Sequence, residues 1–349
     1  MIKQTRRRFL TTLSLACTTS LVRAPRVLAA EGPPLETTAV RIAKTSAKLA
    51  DSANIGAAVY GDSDCWAPEN LANELLYAEG FTDVRNVEVT APSSLAIGRG
   101  EVDFALGYGS VFISAIDAGQ PITVLAGVQV GCIEVFAKEG IHTIADLNGK
   151  RVGVQNLGSS AHVLFSIMCA QIGLDPAKDI RWISGQSATP FELLVDGRID
   201  AYLSSPLASL DMRARRIGHV ILNTTVDPPW SQYFCCMLGG NRGYVLKYPV
   251  ATKRVLRAIL KAADFCSAEP ARAARRMVEG GFTPRYDYTL QMFNEIRYDK
   301  WREYDAEDTM RFYALRMRDT GFIKSSPQKL IAEHTDWRFL DEVKRELKA

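Results

Sequence analysis

One short phrase occurs twice in this chain, 97 residues apart, and it constrains the fold more than any other feature. The first copy runs from Gly100 to Tyr108 and the second from Gly197 to Ser205. In each copy a glycine is followed by a β-branched residue, an aspartate and a leucine, and a short apolar run precedes the glycine. This pattern is typical of a helix that stops at glycine, a buried strand, and a polar tip at which the next helix begins.

The repetition predicts the fold class. Two such units a domain length apart indicate two similar α/β lobes joined by a hinge, and the pattern from residue 247 onward predicts a helical C-terminal tail. The chain is also too long for one ordinary core. A bilobed α/β chain has a cleft between strand tips and helix starts, where small molecules commonly bind.

Residues 1–30 have the composition of a cleaved export signal with a twin-arginine motif. The motif, a short apolar run and a small-residue end occupy positions 5–10, 13–22 and 27–30. The apolar run is too short to span a bilayer. Lipid anchoring at Cys17 is an alternative, although Ser14 stands where a lipidation site has an aliphatic residue. We therefore expect a periplasmic protein that begins near Glu31.

The leader also carries the chain's apparent basicity. It contains six of the 42 basic residues and none of the 39 acidic ones, so its removal changes the net charge from +3 to −3. No basic face remains to attract nucleic acid. No later apolar run is of membrane length, and we expect a soluble monomer.

Cysteine usage does not predict a metal site. The six cysteines after the leader are Cys65, Cys132, Cys169, Cys235, Cys236 and Cys266. They lack the paired spacing of a structural zinc site, and the chain has only four histidines. Cys65 and Cys132 could form a disulfide in an oxidising compartment, or stay reduced if the chain folds in the cytosol before export.

The order of the predicted elements gives a division into lobes. We expect lobe 1 to comprise residues 31–130 and 240–349, including the C-terminal helices, and lobe 2 to comprise residues 131–239. The tail is expected to pack on lobe 1 and to span the back of the cleft.

Three predicted helix starts carry the candidate ligand-binding residues, which are Tyr108, Ser110, Gly158, Ser159, Ser160, Ser204 and Ser205. Unpaired N–H groups and partial positive charge at a helix start attract an anion, and serine hydroxyls can donate to it. Serine also caps helices without any ligand, so capping is the alternative at each start. Three such starts around one cleft favour binding of a carboxylate, sulfonate or similar oxyanion.

Two tryptophans are further candidates for the binding site. Trp230 lies in the proline-stiffened loop 227–233, and Trp66 follows a cysteine at the start of a predicted helix. Each could form an apolar wall of the pocket or a hydrophobic plug in its lobe.

The motifs 144–154, 158–160, 196–201 and the helix 250–267 resemble those of periplasmic substrate-binding proteins of the nitrate/sulfonate/taurine class. The resemblance covers most of the chain after the leader. It implies a type II periplasmic binding protein fold, capture of a small anionic organic ligand at the hinge, and delivery to the membrane permease of an ABC importer. It implies no cofactor and no catalysis.

The chain is also similar to the thiamine-pyrimidine synthases of the same superfamily. That resemblance implies a lysine that holds pyridoxal phosphate after the first repeated phrase, and an iron-binding run of cysteines in the return strand. Here Gly107 stands at the lysine position, the next lysine is Lys138, and only Cys235 and Cys236 remain of the run. A synthase-like enzyme, or a binder of a pyrimidine precursor, is the alternative function, and a thiol hydrolase using Cys65 is a more remote one. A sensory or partner-binding module that keeps the same clamp is a third class, and the sequence does not distinguish it from a transport component.

Overall fold

The computed structural model describes residues 32–44, 65–89, 92–185 and 188–347; the expected leader lies outside these ranges. The described strands are β1 (Ala39–Lys44), β2 (Asp83–Glu88), β3 (Phe104–Tyr108), β4 (Ile122–Val130), β5 (Glu134–Ala137), β6 (Arg151–Gly153), β7 (Arg181–Ile183), β8 (Ala201–Ser204), β9 (His219–Asn223) and β10 (Phe234–Asn241). The described helices are α1 (Ala67–Leu71), α2 (Asn73–Ala78), α3 (Ser93–Gly98), α4 (Gly109–Asp117), α5 (Ser160–Gln171), α6 (Pro190–Val195), α7 (Pro206–Arg215), α8 (Arg242–Lys247), α9 (Pro249–Ala268), α10 (Pro270–Glu279), α11 (Tyr286–Glu295), α12 (Ala306–Asp319), α13 (Pro327–His334) and α14 (Arg338–Glu346).

The strands form two five-stranded sheets with the same topology. The first sheet has the order β2-β1-β3-β10-β4, and the second has the order β7-β6-β8-β5-β9. In each sheet the first three strands are parallel, and the fourth runs antiparallel to both of its neighbours. The two copies of the repeated phrase supply β3 and β8, which occupy the same position in the two sheets. The two similar α/β lobes expected from the sequence are confirmed.

The chain crosses between the sheets twice. It leaves the first sheet after β4 and enters the second at β5, and it returns between β9 and β10. The expected end of lobe 2 at residue 239 therefore falls inside β10, whose two neighbours both belong to the first sheet. A boundary before Phe234 keeps this strand whole; an apolar run identifies a strand but does not tell which sheet it joins.

The C-terminal helices cover the first sheet and reach the second lobe. Proline in the first turn starts α9, where its missing N–H costs nothing, and the apolar stripe of this helix is buried against α1, α2 and α14. α12 packs against α4, and it also contacts α5 of the second lobe. α11 similarly contacts α7. Within the described ranges, no helix combines the length and apolarity needed to cross a bilayer.

Candidate functional site

The two sheets present the ends of their parallel strands to the crossing segments. β3 and β4 both run antiparallel to β10, so their C-terminal ends lie along the same border of the first sheet. We call such a border of strand ends an edge of the sheet, as distinct from an outer strand. In the second sheet β6 and β8 end at one edge, and β5 begins there, with Glu134 opposite Ser204. The helices that follow β3, β6 and β8 are α4, α5 and α7. The three predicted helix starts therefore lie at the two edges that flank the crossings; their contact with a ligand stays a prediction.

Three residues lie side by side at the edge of the first sheet where β3 and β4 end. Cys236 on β10 is in register with Tyr108 on β3 and with Gln129 on β4. The Tyr108 ring meets the Trp66 ring edge-on, with 6.1 Å between centroids. Both aromatic residues are buried, so the structure brings together two of the candidates. Ser110, in the first turn of α4, is buried as well.

Two buried side chains at this edge lack hydrogen-bond partners. The indole Nε1 of Trp66 has none among the described residues, nor has the amide Nε2 or Oε1 of Gln129. Gln129 is fully buried. Leaving such groups unpaired in the protein interior costs free energy. A hydrogen bond from a bound solute to one of them therefore contributes more binding free energy than the same bond to a solvent-exposed group. Sequence reasoning missed Gln129; the only signal was a polar residue inside the continuous apolar run of β4.

At the start of α5, two backbone N–H groups are already paired with side chains of the same segment. Ser159 caps the helix, its Oγ accepting from the His162 backbone N–H at 3.3 Å. The Gly158 N–H donates to His162 Nδ1 at 2.9 Å. Gly158 has φ +83°, which favours glycine. Capping thus accounts for the Ser159 hydroxyl, while Ser159 and Ser160 both remain half-exposed.

His162 is a residue that the sequence did not single out as part of the site. Burial lowers the pKa of His162 below its usual value, and a neutral ring is required for Nδ1 to accept from Gly158. Its ring packs edge-on against Trp182 of the same lobe, at 4.6 Å, and against Phe322, which follows α12, at 5.4 Å. The helix start is therefore tied to the C-terminal helices of the other lobe.

The start of α7 is more enclosed. Ser204 is fully buried, accepts a hydrogen bond from the Tyr202 hydroxyl at 2.9 Å and donates to the Ser205 carbonyl at 3.3 Å. Ser205 is the N-cap residue and is half-buried. Trp230 is 3% exposed and lies edge-on to Phe312 of α12, 5.5 Å away. That is the environment of a core residue, which favours the plug interpretation for Trp230.

Four cysteines converge beside Tyr108 although they come from three distant segments. The sulfur of Cys132 is 2.9 Å from that of Cys235, and the sulfur of Cys65 is 3.7 Å from that of Cys236. All are free thiols, and all are buried. The pairing that the sequence suggested, Cys65 with Cys132, is therefore not the nearest one. The sulfurs of Cys65, Cys132 and Cys236 lie within 4.8 Å of one another, a donor set suited to a thiophilic metal ion.

The four thiols differ in acidity. Burial raises the pKa of Cys65 and Cys132 well above the usual value and raises the pKa of Cys236 to about 11. Burial also acts to raise the pKa of Cys235, but hydrogen bonds with Cys132 and Cys236 outweigh it and lower that pKa to about 7. Because the thiolate is the nucleophile, the raised pKa of Cys65 argues against a thiol hydrolase at that residue.

The residues present do not fit pyridoxal phosphate as the synthases hold it. Gly107 lies within β3, where an added Cβ would come 3.0 Å from both Phe112 and Ser93. Lys138, the next lysine, donates to the Gly197 carbonyl at 2.7 Å. That contact lies at the opposite edge of the second sheet, where Lys138 lines a cavity of about 690 Å³ away from both crossings.

A protein-family model described as NMT1/THI5 like matches residues 82–273, which is 192 of the chain's 349 residues. The chain belongs to the NMT1/THI5-like family. The match spans both crossings and every strand from β3 to β10.

Known relatives agree with this family and with the fold. A putative binding protein of Brucella abortus is 28% identical over 181 residues, 51% of this chain and 55% of that protein. The NMT1/THI5-like chain thus spans about half the length of the curated relatives it matches. The periplasmic nitrate-binding protein NrtA of Synechocystis PCC 6803 superimposes with a TM-score of 0.70 at 14% identity, covering 90% of each chain. The alkanesulfonate-binding protein SsuA of Xanthomonas axonopodis pv. citri, bound to MOPS, gives 0.65 at 17% identity, covering 87% of this chain and 100% of that one. The fold is that of periplasmic binding proteins.

Proposed function

We propose that this protein is the solute-binding component of an ABC importer and captures a small anionic organic molecule between its two lobes. The observation that carries the proposal is that three serine-bearing helix starts follow strands which end beside the two crossings between the sheets. The names of two structural relatives, an alkanesulfonate-binding and a nitrate-binding protein, support a sulfonate- or nitrate-like ligand, and taurine is itself a sulfonate.

The mechanism is closure of the hinge over the ligand. Two contacts between the second lobe and the C-terminal helices support this mechanism. Arg213 of α7 forms an ion pair with Glu295 of α11 at 2.6 Å. Arg316 Nε of α12 donates to Gln171 Oε1 of α5 at 2.6 Å. A ligand that touches both lobes binds the closed state better than the open state, and this difference in affinity shifts the equilibrium toward closure. The membrane permease would then recognise the closed form.

The chemistry proposed for the cleft uses dipoles and neutral donors. α4, α5 and α7 direct their N-terminal ends toward the crossings, and each contributes partial positive charge there. Trp66 Nε1 and Gln129 Nε2, which have no hydrogen-bond partner within the described part of the chain, are further donors where β3 and β4 end. This donor set suits an oxyanion without requiring an arginine.

Location and partners complete the proposal. The twin-arginine leader at residues 1–30 would carry the folded chain to the periplasm, where the mature protein acts as a monomer. The position of Lys138 argues against the synthase alternative. If a Schiff base with pyridoxal phosphate formed on a lysine of the cleft, its absorption band would overturn the assignment as a binding protein.

A thermal-shift screen against nitrate, taurine, alkanesulfonates, aromatic acids and pyrimidines tests the ligand class directly. One of the anions should raise the melting temperature in a concentration-dependent way. The double variant Ser159→Ala, Ser160→Ala should weaken its binding by about 1–3 kcal/mol, since hydroxyl donors to an anion are removed.

The matched control is Ser326→Ala. Ser326 caps α13 by accepting from the Lys329 N–H at 3.3 Å, the same distance as in the Ser159 cap, but it lies in the C-terminal helices. Both substitutions remove a cap, so only the first should change ligand affinity. Equal affinities in both variants would remove Ser159 and Ser160 from the site.

A further inference from the structure

Cys132 and Cys235 each lie at one of the two crossings between the lobes. Cys132 is in the segment between β4 and β5, and Cys235 is the second residue of β10, directly after the return crossing. Their sulfurs are 2.9 Å apart. A bond between them would therefore join the two segments through which the chain passes from lobe to lobe.

The backbone holds Cys132 in this position at some cost. Its φ is +97°, a left-handed backbone value that residues other than glycine rarely adopt. The preceding Gly131 has φ +82°, and a Cβ there would come 2.2 Å from the Thr225 hydroxyl of the return crossing. Strain of this kind persists where the surrounding structure fixes a residue for a function.

This pair is better placed for a disulfide than the other thiols of the cluster. The S–S distance in a disulfide is about 2.05 Å. The sulfurs of Cys132 and Cys235, 2.9 Å apart, are closer to this distance than those of Cys65 and Cys236, which are 3.7 Å apart. Cys132 and Cys235 are 5% and 6% exposed, whereas Cys65 and Cys236 are fully buried. Cys132 and Cys235 thus retain a slight exposure to solvent that Cys65 and Cys236 lack.

A shared metal ion fits the Cys132–Cys235 distance less well. Two thiolates on one tetrahedral zinc ion, each about 2.3 Å from the metal, have sulfurs about 3.8 Å apart. The 2.9 Å between Cys132 and Cys235 is well below that separation, although the Cys65–Cys236 distance of 3.7 Å matches it. Metal binding by Cys65, Cys132 and Cys236 is thus the competing outcome, and it would leave Cys132 unavailable for a disulfide.

We propose that Cys132 and Cys235 form a disulfide after export, linking the two hinge segments. Each thiol loses its hydrogen, one S–S bond forms, and two electrons and two protons pass to a disulfide oxidant, such as a thiol–disulfide oxidoreductase or oxidised glutathione, which becomes two thiols. The inference rests on the proposed export only for the oxidising compartment. Because the two sulfurs are already 2.9 Å apart in the folded chain, a protein exported folded needs only a short approach of these sulfurs to form the bond.

The decisive measurement is a peptide map of the mature protein isolated from the periplasm, with free thiols alkylated before reduction. We expect a Cys132–Cys235 cross-link and free, alkylated Cys65, Cys169, Cys236 and Cys266. Six alkylated cysteines, a Cys65–Cys132 cross-link, or a stoichiometric metal with all thiols free would each overturn the proposal. The map needs no ligand, so its outcome is independent of whether the proposed solute is found.

Variants give a second, matched readout. Reduced protein treated with oxidised glutathione should lose two titratable thiols, and so should Cys169→Ser, whose thiol is buried in α5 away from the hinge. Cys235→Ser should lose none, and reduction should lower the melting temperature of the wild type but not of this variant. Loss of two thiols in Cys235→Ser would assign the bond to another pair. If Cys235→Ser fails to fold, the peptide map of the wild type still decides.

Discussion

Asp200 accepts three hydrogen bonds from Arg151: the backbone N–H and Nε donate to Oδ2 at 2.9 and 3.0 Å, and Nη2 donates to Oδ1 at 2.7 Å. Asp103 receives the same three bonds from Arg41, at 2.7, 3.3 and 2.6 Å. In each lobe the aspartate of the repeated phrase thus ties the third parallel strand of the sheet to its neighbour. The phrase recurs because both sheets need this link.

Replacing Asp200 with asparagine should destabilise the second lobe. The hydrogen bond from Arg151 lowers the pKa of Asp200, so the stabilisation is present above the unfolded-state pKa of about 4 and is lost as pH falls below it. We expect Asp200→Asn to lower the free energy of unfolding at pH 7 by about 1–3 kcal/mol and to reduce the loss of stability on acidification. Urea unfolding at pH 7 and at about pH 3 measures both effects.

Asp83→Asn is the control for this prediction. Asp83 forms a similar ion pair with Arg85, but both side chains are largely exposed and belong to the same strand. Its replacement should change the free energy of unfolding little. Equal losses in the two variants would show that the Asp200 link has no special role.

The sequence predicted the fold well because its signals are local. The apolar and glycine patterns around residues 100–108 and 197–205 identified both strands and the helices after them, and α7 begins and ends where the pattern places it. The repeated aspartate was recognised, but its partner was not. Arg151 lies 49 residues before Asp200, and no spacing rule connects them.

The site was predicted less completely because its members meet only through the register of distant strands. Cys236 lies beside Tyr108 and Gln129 because β10 returns from the second lobe and inserts between β3 and β4. Cysteine spacing could not indicate a cluster assembled from residues 65, 132 and 235–236. For Trp230 the local sequence identified the loop but not the environment of the side chain. A proline-rich loop before a strand does not tell whether its tryptophan points into a pocket or into the core.

The ion pair between Arg213 and Glu295 should stabilise the closed state. It joins α7 of the second lobe to α11 of the C-terminal helices at 2.6 Å, and both side chains are about one-third exposed. Pairs of this exposure contribute about 0.2–1 kcal/mol, so Arg213→Gln should weaken ligand binding by up to about fivefold. Arg215→Gln is the control, because Arg215 pairs with Asp211 within α7 at 3.1 Å and touches one lobe only. Calorimetric titration of both variants would contradict the prediction if their affinities fell equally.

His162 should make the start of α5 sensitive to acid. Because burial lowers its pKa below about 6.5, the unfolded state binds a proton more readily, and stability falls as pH drops from about 6.5 through the folded-state value. Protonation also converts Nδ1 from an acceptor to a donor and breaks the bond from Gly158. His162→Asn keeps a nearby acceptor that does not titrate. Thermal unfolding between pH 7 and 5 should therefore vary less in this variant than in the wild type; parallel pH profiles would exclude His162 as the cause.

Gln129 should contribute to binding at the expense of stability. Its amide is fully buried and has no hydrogen-bond partner among the residues that the structure describes, so Gln129→Met removes an unsatisfied group while nearly preserving shape. The free energy of unfolding should therefore stay constant or rise by about 1 kcal/mol. If the amide donates to the ligand, affinity should fall about tenfold in the same variant, equivalent to about 1.4 kcal/mol.

Trp182→Phe is the opposite case, because its Nε1 already donates to the Pro176 carbonyl at 2.8 Å. That change should lower stability by about 1 kcal/mol and leave affinity unchanged. Urea unfolding and ligand titration of the two variants separate the cases: a Gln129→Met protein that loses stability but keeps its affinity would place the amide in the structural core and outside the binding site.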